Sequence, residues 1–357
     1  MKIGLVRRGY SGTGGAEAYL LRFAEAARAA GHESVIFGSR EWERWNGEKV
    51  IVAGRTPRAL ADALAEAHPR QQCDFLFSLE RVWECDAYRA GDGVHAAWLE
   101  RRANFEQWWK PAFRRFQRKH RELTELEKAL FTGGAARIIA NSAMVRREII
   151  ARFQTPAERI TVIHNGIPPW REDPGARERG RARLGLAPER FTVLFTGSGW
   201  ERKGLRFAIA AMPQNATLLV AGAGKNSGLP SAEDVRFLGP QSRAEINELL
   251  AVADAFTLPT LYEPFSNACL EALAAGLPII TTTANGFAEI IEPGIEGDIV
   301  EPGDVAALSA SLQRWRDTQR RESIRARLVE KGARFSIDEN VRQTLACIAA
   351  PPGISNL

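Results

Sequence analysis

Cysteine is scarce in this sequence: four in 357 residues, Cys73, Cys85, Cys269 and Cys347, with no Cys-x-x-Cys pair among them. That argues against a cysteine-built zinc site or a disulfide framework, and it suits a reducing compartment. Long apolar runs are missing as well. None approaches the ~18 residues of a membrane-spanning helix, so no such helix is expected. The opening residues Met1-Lys2-Ile3-Gly4-Leu5-Val6 read as a strand and not as a secretory leader, which points to a cytoplasmic protein. Repeats of solenoid period are absent too. The rest is ordinary for a globular chain: 45% apolar and 25% charged residues, 48 cations against 43 anions, net charge +5 and a pI near 9.2. That is enough apolar matter for a core in each half, and ~150 residues per domain gives two domains.

Strand-like and helix-like stretches alternate. Residues 2–6 predict a buried strand, the glycine-rich stretch from Gly9 to Gly15 a turn, and residues 16–30, stopped by Gly31, a helix. Strands are predicted at 34–37, 74–78, 137–141 and 160–163, with a helix capped by Ser142 running to Phe153. Residues 168–181 hold Pro168, Pro169, Pro174 and Gly175 among charges and read as a linker. The pattern then restarts. Strands are predicted at 191–195, 217–221, 235–238, 255–258 and 278–282, with a glycine-rich turn from Gly197 to Gly204 and helices at 205–212, 243–252 and 266–275. Two such series predict an α/β chain of two doubly wound, Rossmann-like domains, with ligands at the carboxyl ends of the strands and a cleft between the domains as the natural site.

Three segments at strand ends carry chemistry. Gly12-Thr13-Gly14-Gly15-Ala16-Glu17 lets backbone approach a ligand and opens a helix whose N–H groups suit an anion. Alone it also fits a plain strand-to-helix turn. A dinucleotide site is disfavoured, because the second strand ends Phe37-Gly38-Ser39-Arg40 without a carboxylate for a ribose. Gly197-Ser198-Gly199-Trp200-Glu201-Arg202-Lys203-Gly204 puts two adjacent cations in a turn, which suits a diphosphate or is simply a solvated basic turn. Glu263-Pro264-Phe265-Ser266-Asn267-Ala268-Cys269-Leu270-Glu271 places one carboxylate in a loop and a second one turn into the following helix, though alone it also fits two solvated glutamates. The amide groups near Ser266 and Asn267 start that helix and attract a phosphate.

In this order and setting, the three segments resemble the retaining, nucleotide-sugar-dependent glycosyltransferases of family four (group 1), which have the GT-B fold. The resemblance also includes Asn141-Ser142, Val162-Ile163-His164-Asn165-Gly166-Ile167, Phe237-Leu238-Gly239, Ala253-Asp254-Ala255-Phe256 and Ala274-Ala275-Gly276-Leu277-Pro278. Glu-x7-Glu is its strong marker. Within the family, Gly197-Ser198, Arg202-Lys203-Gly204 and the chain length look like the lipopolysaccharide core glucosyltransferases.

The resemblance implies a hexosyltransferase, with glucose from a UDP-sugar the expected donor and a lipopolysaccharide core or similar cell-surface glycan the acceptor. It implies an acceptor-side domain over 1–168, a nucleotide-sugar domain over 169–335, and a helix and tail over 336–357 that cross back to the first. Glu263 would contact donor-sugar hydroxyls, Glu271 the ribose, and Lys203 with Arg202 the leaving diphosphate. Gly14, Gly15, Phe265, Ser266 and Asn267 would complete the phosphate and sugar contacts, and Gly239 would lie near the base. Asp92, with His95 second, is the candidate on the acceptor side. Two departures stand out. Ser198 occupies a position where many members have an arginine, a role Arg202 is placed to take, and Asn285-Gly286 replaces a frequent Gly-Gly. No Asp-x-Asp pair lies in a suitable loop, Asp86 and Asp92 being too far apart, so neither a metal nor any other cofactor is expected.

From Trp98 to Arg121 the chain carries six Trp and Phe residues, and eight Lys and Arg against Glu100 and Glu106, an excess larger than that of the whole chain. Aromatics beside cations suit an interfacial helix on anionic lipid. The expectation is a protein at the inner face of the cytoplasmic membrane, with a lipid-linked or phosphorylated glycan as partner. An amphipathic helix with its aromatics turned inward has the same pattern. No nucleic-acid motif accompanies the charge. A GT-B epimerase or phosphorylase, and a non-catalytic nucleotide-sugar-binding protein, are the alternatives.

Overall fold

A computed structural model describes residues 1–9, 15–42, 45–105, 117–225, 228–230 and 234–350. The chain divides into two units, Met1–Asn165 together with the stretch from Ile337, and Gly166–Ser336.

The first unit holds β1 (Lys2–Val6), β2 (Glu33–Gly38), β3 (Glu48–Ile51), β4 (Phe75–Ser78), β5 (Cys85–Ala90), β6 (Ala135–Ala140) and β7 (Ile160–Val162). They form one sheet, ordered β3-β2-β1-β4-β5-β6-β7, with every pair parallel. Its helices include α1 (Gly15–Ala29), α2 (Pro57–Glu66), α3 (His95–Ala103), α4 (Arg118–Ala129) and α5 (Ala143–Phe153). Ile3, Leu5 and Val6 of β1 are all buried, as a parallel strand covered on both faces requires. Helix α5 starts as expected: the Ser142 hydroxyl accepts from the Val145 amide at 3.2 Å, which satisfies one of the amides that a helix start leaves over.

The C-terminal helix Ile337–Ala349 belongs to this unit. Its Ile337, Val341 and Ile348 share a core with Tyr19, Leu20 and Phe23 of α1. Arg89, buried on β5, ties the helix in: its guanidinium donates to Tyr19 Oη at 3.0 Å, Asn340 Oδ1 at 3.3 Å and Asn165 Oδ1 at 2.9 Å. Burying that cation costs less because three oxygens replace its water.

The second unit holds β8 (Phe191–Thr196), β9 (Ala216–Ala221), β10 (Val235–Gly239), β11 (Ala255–Leu258), β12 (Ile279–Thr282) and β13 (Gly297–Val300), in the order β10-β9-β8-β11-β12-β13 and again parallel throughout. Its helices are α6 (Ala176–Arg183), α7 (Trp200–Lys203), α8 (Leu205–Ala210), α9 (Arg243–Val252), α10 (Asn267–Ala274), α11 (Val305–Arg314) and α12 (Thr318–Ala333) among the described residues. The stretch read as a linker becomes helical halfway along, at α6. Gly175, at φ 78°, turns the chain into it, and its inward face is made of small and charged residues. Gly180 lies against Val252, and buried Arg181 donates to the Val252 carbonyl at 3.0 Å and sits 3.5 Å from Asp254. A helix that buries glycine and arginine leaves no apolar stripe to read.

In both sheets the strand order reverses beside the first strand, between β1 and β4 and between β8 and β11. In a doubly wound sheet, ligands bind at this switch point, outside the carboxyl ends of the strands. No described helix is long and apolar enough to cross a membrane.

Candidate active site

At the switch point of the second unit, the loops after β8 and β11 meet. Gly197 follows β8 with φ 135°. A side chain there would run into the Lys203 stem, 2.6 Å from its Cδ, so glycine is what lets Lys203 lie across the turn. The Gly197 and Gly199 amides donate to the Ala221 and Ala223 carbonyls at 2.9 and 3.1 Å, and Ser198 Oγ accepts from the Ala223 amide at 3.3 Å. Ser198 thus holds the loop after β9 and supplies no charge. Helix α7 delivers Arg202 and Lys203 in its last turn. The Arg202 carbonyl accepts from the Leu261 amide at 2.8 Å and from Thr260 Oγ1 at 2.9 Å, which fastens α7 to the loop after β11.

Glu263 stands in that second loop. Its amide donates to the Ala284 carbonyl and its carbonyl accepts from Gly286, both at 2.9 Å. Asn285, between those two residues, is buried. Its Nδ2 donates to Thr281 Oγ1 at 3.0 Å and its Oδ1 accepts from the Phe287 amide at 3.1 Å, so the asparagine that departs from Gly-Gly stiffens the clamp on Glu263. The buried Glu263 carboxylate accepts from Lys203 Nζ at 2.9 Å through Oε2, with Arg202 Nη1 at 3.5 Å from the same oxygen. Its Oε1 accepts no hydrogen bond among the described residues.

Ser266 caps α10, its hydroxyl accepting from the Cys269 amide at 3.2 Å. Phe265 turns into the core, edge-on to Phe287, while Asn267 is exposed at the first position of α10. Glu271, one turn further in, is largely buried, and its Oε1 accepts from Arg243 Nη1. Burial pushes the Glu271 carboxyl up and the Arg243 guanidinium pulls it back. Each carboxylate of the Glu-x7-Glu segment thus gives one oxygen to a cation and keeps the other. Gly239 ends β10 at φ 71° and accepts from the Gly222 amide at 2.8 Å. Lys203, Arg202 and Glu263 therefore touch one another, with Ser266 opening the adjoining helix, while Glu271 is linked instead to Arg243. Nothing in the sequence pointed to Arg243, which lies 28 residues away.

The first unit carries the remaining expected residues. Gly14 lies outside the described residues, and Gly15 is the first residue of α1. Arg7 spans the β1/β4 switch, donating to Glu17 at 3.1 Å and to Glu80 at 3.1 Å. Asp92 is exposed after β5, 3.7 Å from Arg81. His95 begins α3, and its ring stacks on His120 with centroids 5.0 Å apart and Nε2 2.9 Å from His120 Nδ1. Beneath it lies an ion pair that sequence reading missed. Arg81 donates to Glu127 Oε1 from Nε at 3.1 Å and Nη2 at 2.9 Å, while the His95 and Ala96 amides donate to the same carboxylate at 2.5 and 3.2 Å. Glu127 therefore caps α3. Among the described residues no cluster of His, Cys, Asp and Glu is arranged to hold a metal ion.

Burial, with Arg81, His120 and Lys119 nearby, pushes the His95 imidazole down to about 3. The folded state keeps this ring neutral while an unfolded chain protonates it near 6.5. Its contribution to stability is therefore full above 6.5 and lost as pH falls toward 3. Urea unfolding from pH 7.5 to 4.5 is expected to show a smaller loss of stability for His95→Asn than for the wild type. Equal losses would remove His95 as the cause.

Of the basic aromatic segment, residues 106–116 lie outside the described residues. In the part described, Arg101 pairs with Glu148 at 2.7 Å, Glu100 with Arg152 at 2.5 Å, and Arg102 lies over the Trp98 ring at 5.6 Å. Some of these charges are thus spent within the fold.

A family profile described as Glycosyltransferase Family 4 matches residues 13–171, and one described as Glycosyl transferases group 1 matches residues 190–317. An uncharacterized glycosyltransferase of Methanocaldococcus jannaschii is 30% identical over 202 residues, 52% of each chain. A D-inositol 3-phosphate glycosyltransferase of Mycobacterium marinum is 31% identical over 195 residues, 50% of this chain and 41% of its own. The matches thus span about half the length of these curated relatives. Among solved structures, WaaG, a glycosyltransferase involved in lipopolysaccharide biosynthesis, superposes with a TM-score of 0.79 at 22% identity over 98% of this chain and 100% of its own. HepE of Anabaena, in complex with UDP and glucose, gives 0.73 at 20% identity over 98% and 99%. These two likenesses establish the two-domain GT-B architecture. With the two profiles matching its successive halves, the chain belongs to the glycosyltransferases, joining a family 4 amino-terminal half to a group 1 carboxyl-terminal half.

Proposed function

We propose that this glycosyltransferase is a retaining enzyme that moves a hexose, glucose first, from a UDP-sugar to a hydroxyl of a lipopolysaccharide core or similar cell-surface glycan, without a metal. The observation that carries the reading is Glu263 held between Lys203 and Arg202, 2.9 and 3.5 Å away, with Oε1 left to accept from a sugar hydroxyl. HepE of Anabaena, solved with UDP and glucose, supports the donor class, and WaaG the acceptor class.

In this reading the bond from the anomeric carbon to the β-phosphate oxygen breaks as the acceptor oxygen bonds to that carbon from the same face. The acceptor's proton passes to the departing phosphate oxygen. Negative charge grows on the diphosphate, and Lys203 and Arg202 are fixed cations in a partly dry site, where they act most strongly. Arg202 takes the part of the arginine that Ser198 replaces. Glu271 holds the ribose, Gly239 lies near the base, and Gly14, Gly15, Phe265, Ser266 and Asn267 contribute through the backbone. On the acceptor side, Asp92 is the exposed carboxylate and His95 the second candidate. The basic aromatic segment is assigned to an anionic membrane surface at the inner face of the cytoplasmic membrane, where a lipid-linked or phosphorylated glycan would be met.

Incubation with a panel of nucleotide sugars, reading free nucleoside diphosphate, tests the donor assignment without an acceptor, because slow hydrolysis suffices. Release from one UDP-sugar, lost in Glu263→Ala, is the expected result. A protein that neither binds nor cleaves any nucleotide sugar overturns the reading.

A further inference from the structure

We propose that Arg243 is the positioning residue for Glu271: by taking one oxygen of that carboxylate, it presents the other to the two hydroxyls of a ribose. This rests on the reading of Glu271 as the ribose-binding group.

Arg243 is the first residue of α9, and a capping box holds its backbone in place. Ser242 caps the helix, its hydroxyl accepting from the Glu245 amide at 3.3 Å while Glu245 Oε2 accepts from the Ser242 amide at 2.6 Å. A cation in a first turn opposes the helix dipole, so Arg243 is not placed there to stabilise α9. Half of its side chain is exposed, and exposed ion pairs contribute little to stability. Its one ion pair among the described residues is with Glu271, whose own side chain is 16% exposed. The interaction goes from Arg243 Nη1 to Oε1, and Oε2 accepts no hydrogen bond among the described residues. A largely buried carboxylate with one oxygen held and one open is suited to accept from a vicinal diol. Gly239, which is assigned to the neighbourhood of the base, stands four residues before Arg243 in the sequence.

Calorimetric titration of the wild type, Arg243→Ala and Arg243→Gln with UDP and with 2′,3′-dideoxy-UDP tests this. Both variants are expected to bind UDP about tenfold more weakly and the dideoxy analogue within about twofold of the wild type, a change too small to reflect a lost contact. In turnover, KM for the nucleotide sugar should rise while kcat changes little. Equal weakening toward both ligands gives Arg243 a purely structural role and overturns the proposal, as does unchanged UDP binding. A wild type that binds neither ligand overturns the reading of the site itself, an outcome separate from failure of Arg243 alone.

Discussion

Replacing Lys203 by methionine is expected to lower kcat for nucleotide-sugar cleavage about 10²- to 10³-fold, the cost of deleting one preorganised donor aimed at developing charge. Methionine keeps an apolar stem over Gly197, where the structure leaves space for no side chain but that of Lys203, and removes only the ammonium. KM should change much less, because the charge that Lys203 meets is greatest when the glycosidic bond is breaking. The fold should survive, since Arg202 remains 3.5 Å from Glu263 and keeps that carboxylate from being stranded. Steady-state kinetics alongside a thermal melt checks both parts. Turnover within threefold of the wild type, in a protein that melts normally, would deny Lys203 its role at the leaving group.

The largest expected effect on stability lies in the other unit. Arg81→Ala should lower the unfolding free energy by about 3–5 kcal/mol, because it strands a buried carboxylate. Glu127 is fully buried and Arg81 nearly so. Burial pushes the Glu127 carboxyl up against the pull of Arg81 and of the His95 and Ala96 amides. With the guanidinium gone, the two amides alone face the charge. Arg81 also donates to the Gly93 carbonyl at 3.0 Å, so the turn ahead of α3 loosens as well. Adding Glu127→Gln to Arg81→Ala should recover part of the loss, since a neutral amide still accepts from the helix start and needs no counter-charge. Equilibrium urea unfolding of the three proteins measures this. A single-variant loss below about 1 kcal/mol, the range of exposed ion pairs, would show that the pair does not hold α3.

Much of the fold was legible because its signals are local. The apolar runs of β1, β8 and β9 announce strands buried on both faces, and Ser142 marks the start of α5 by its cap alone. Helix α6 was not legible, because it buries Gly180 and Arg181 where an apolar stripe would be read. Of the candidate site, the members within one loop could be found: Arg202 beside Lys203, and Glu263 eight residues before Glu271. The glycines that seat them could be found too, since only a residue without a side chain fits under the Lys203 stem.

Partnership across the chain was a different matter. Lys203 and Glu263 are 60 residues apart, Arg243 and Glu271 28, and Arg81 and Glu127 46. Asp92 and His95, two polar residues after a strand, stood first and second as acceptor-side candidates in the sequence. Packing left the first exposed beside Arg81 and set the second against His120 over a buried ion pair. By itself the sequence determined which residue types stand at the strand ends, because backbone conformation, capping and apolar periodicity act over a few neighbouring residues. Only the tertiary structure decided which charges meet, which carboxylate oxygen stays open and which group loses its water. Distance and burial depend on strand order and helix packing, and no local pattern records them.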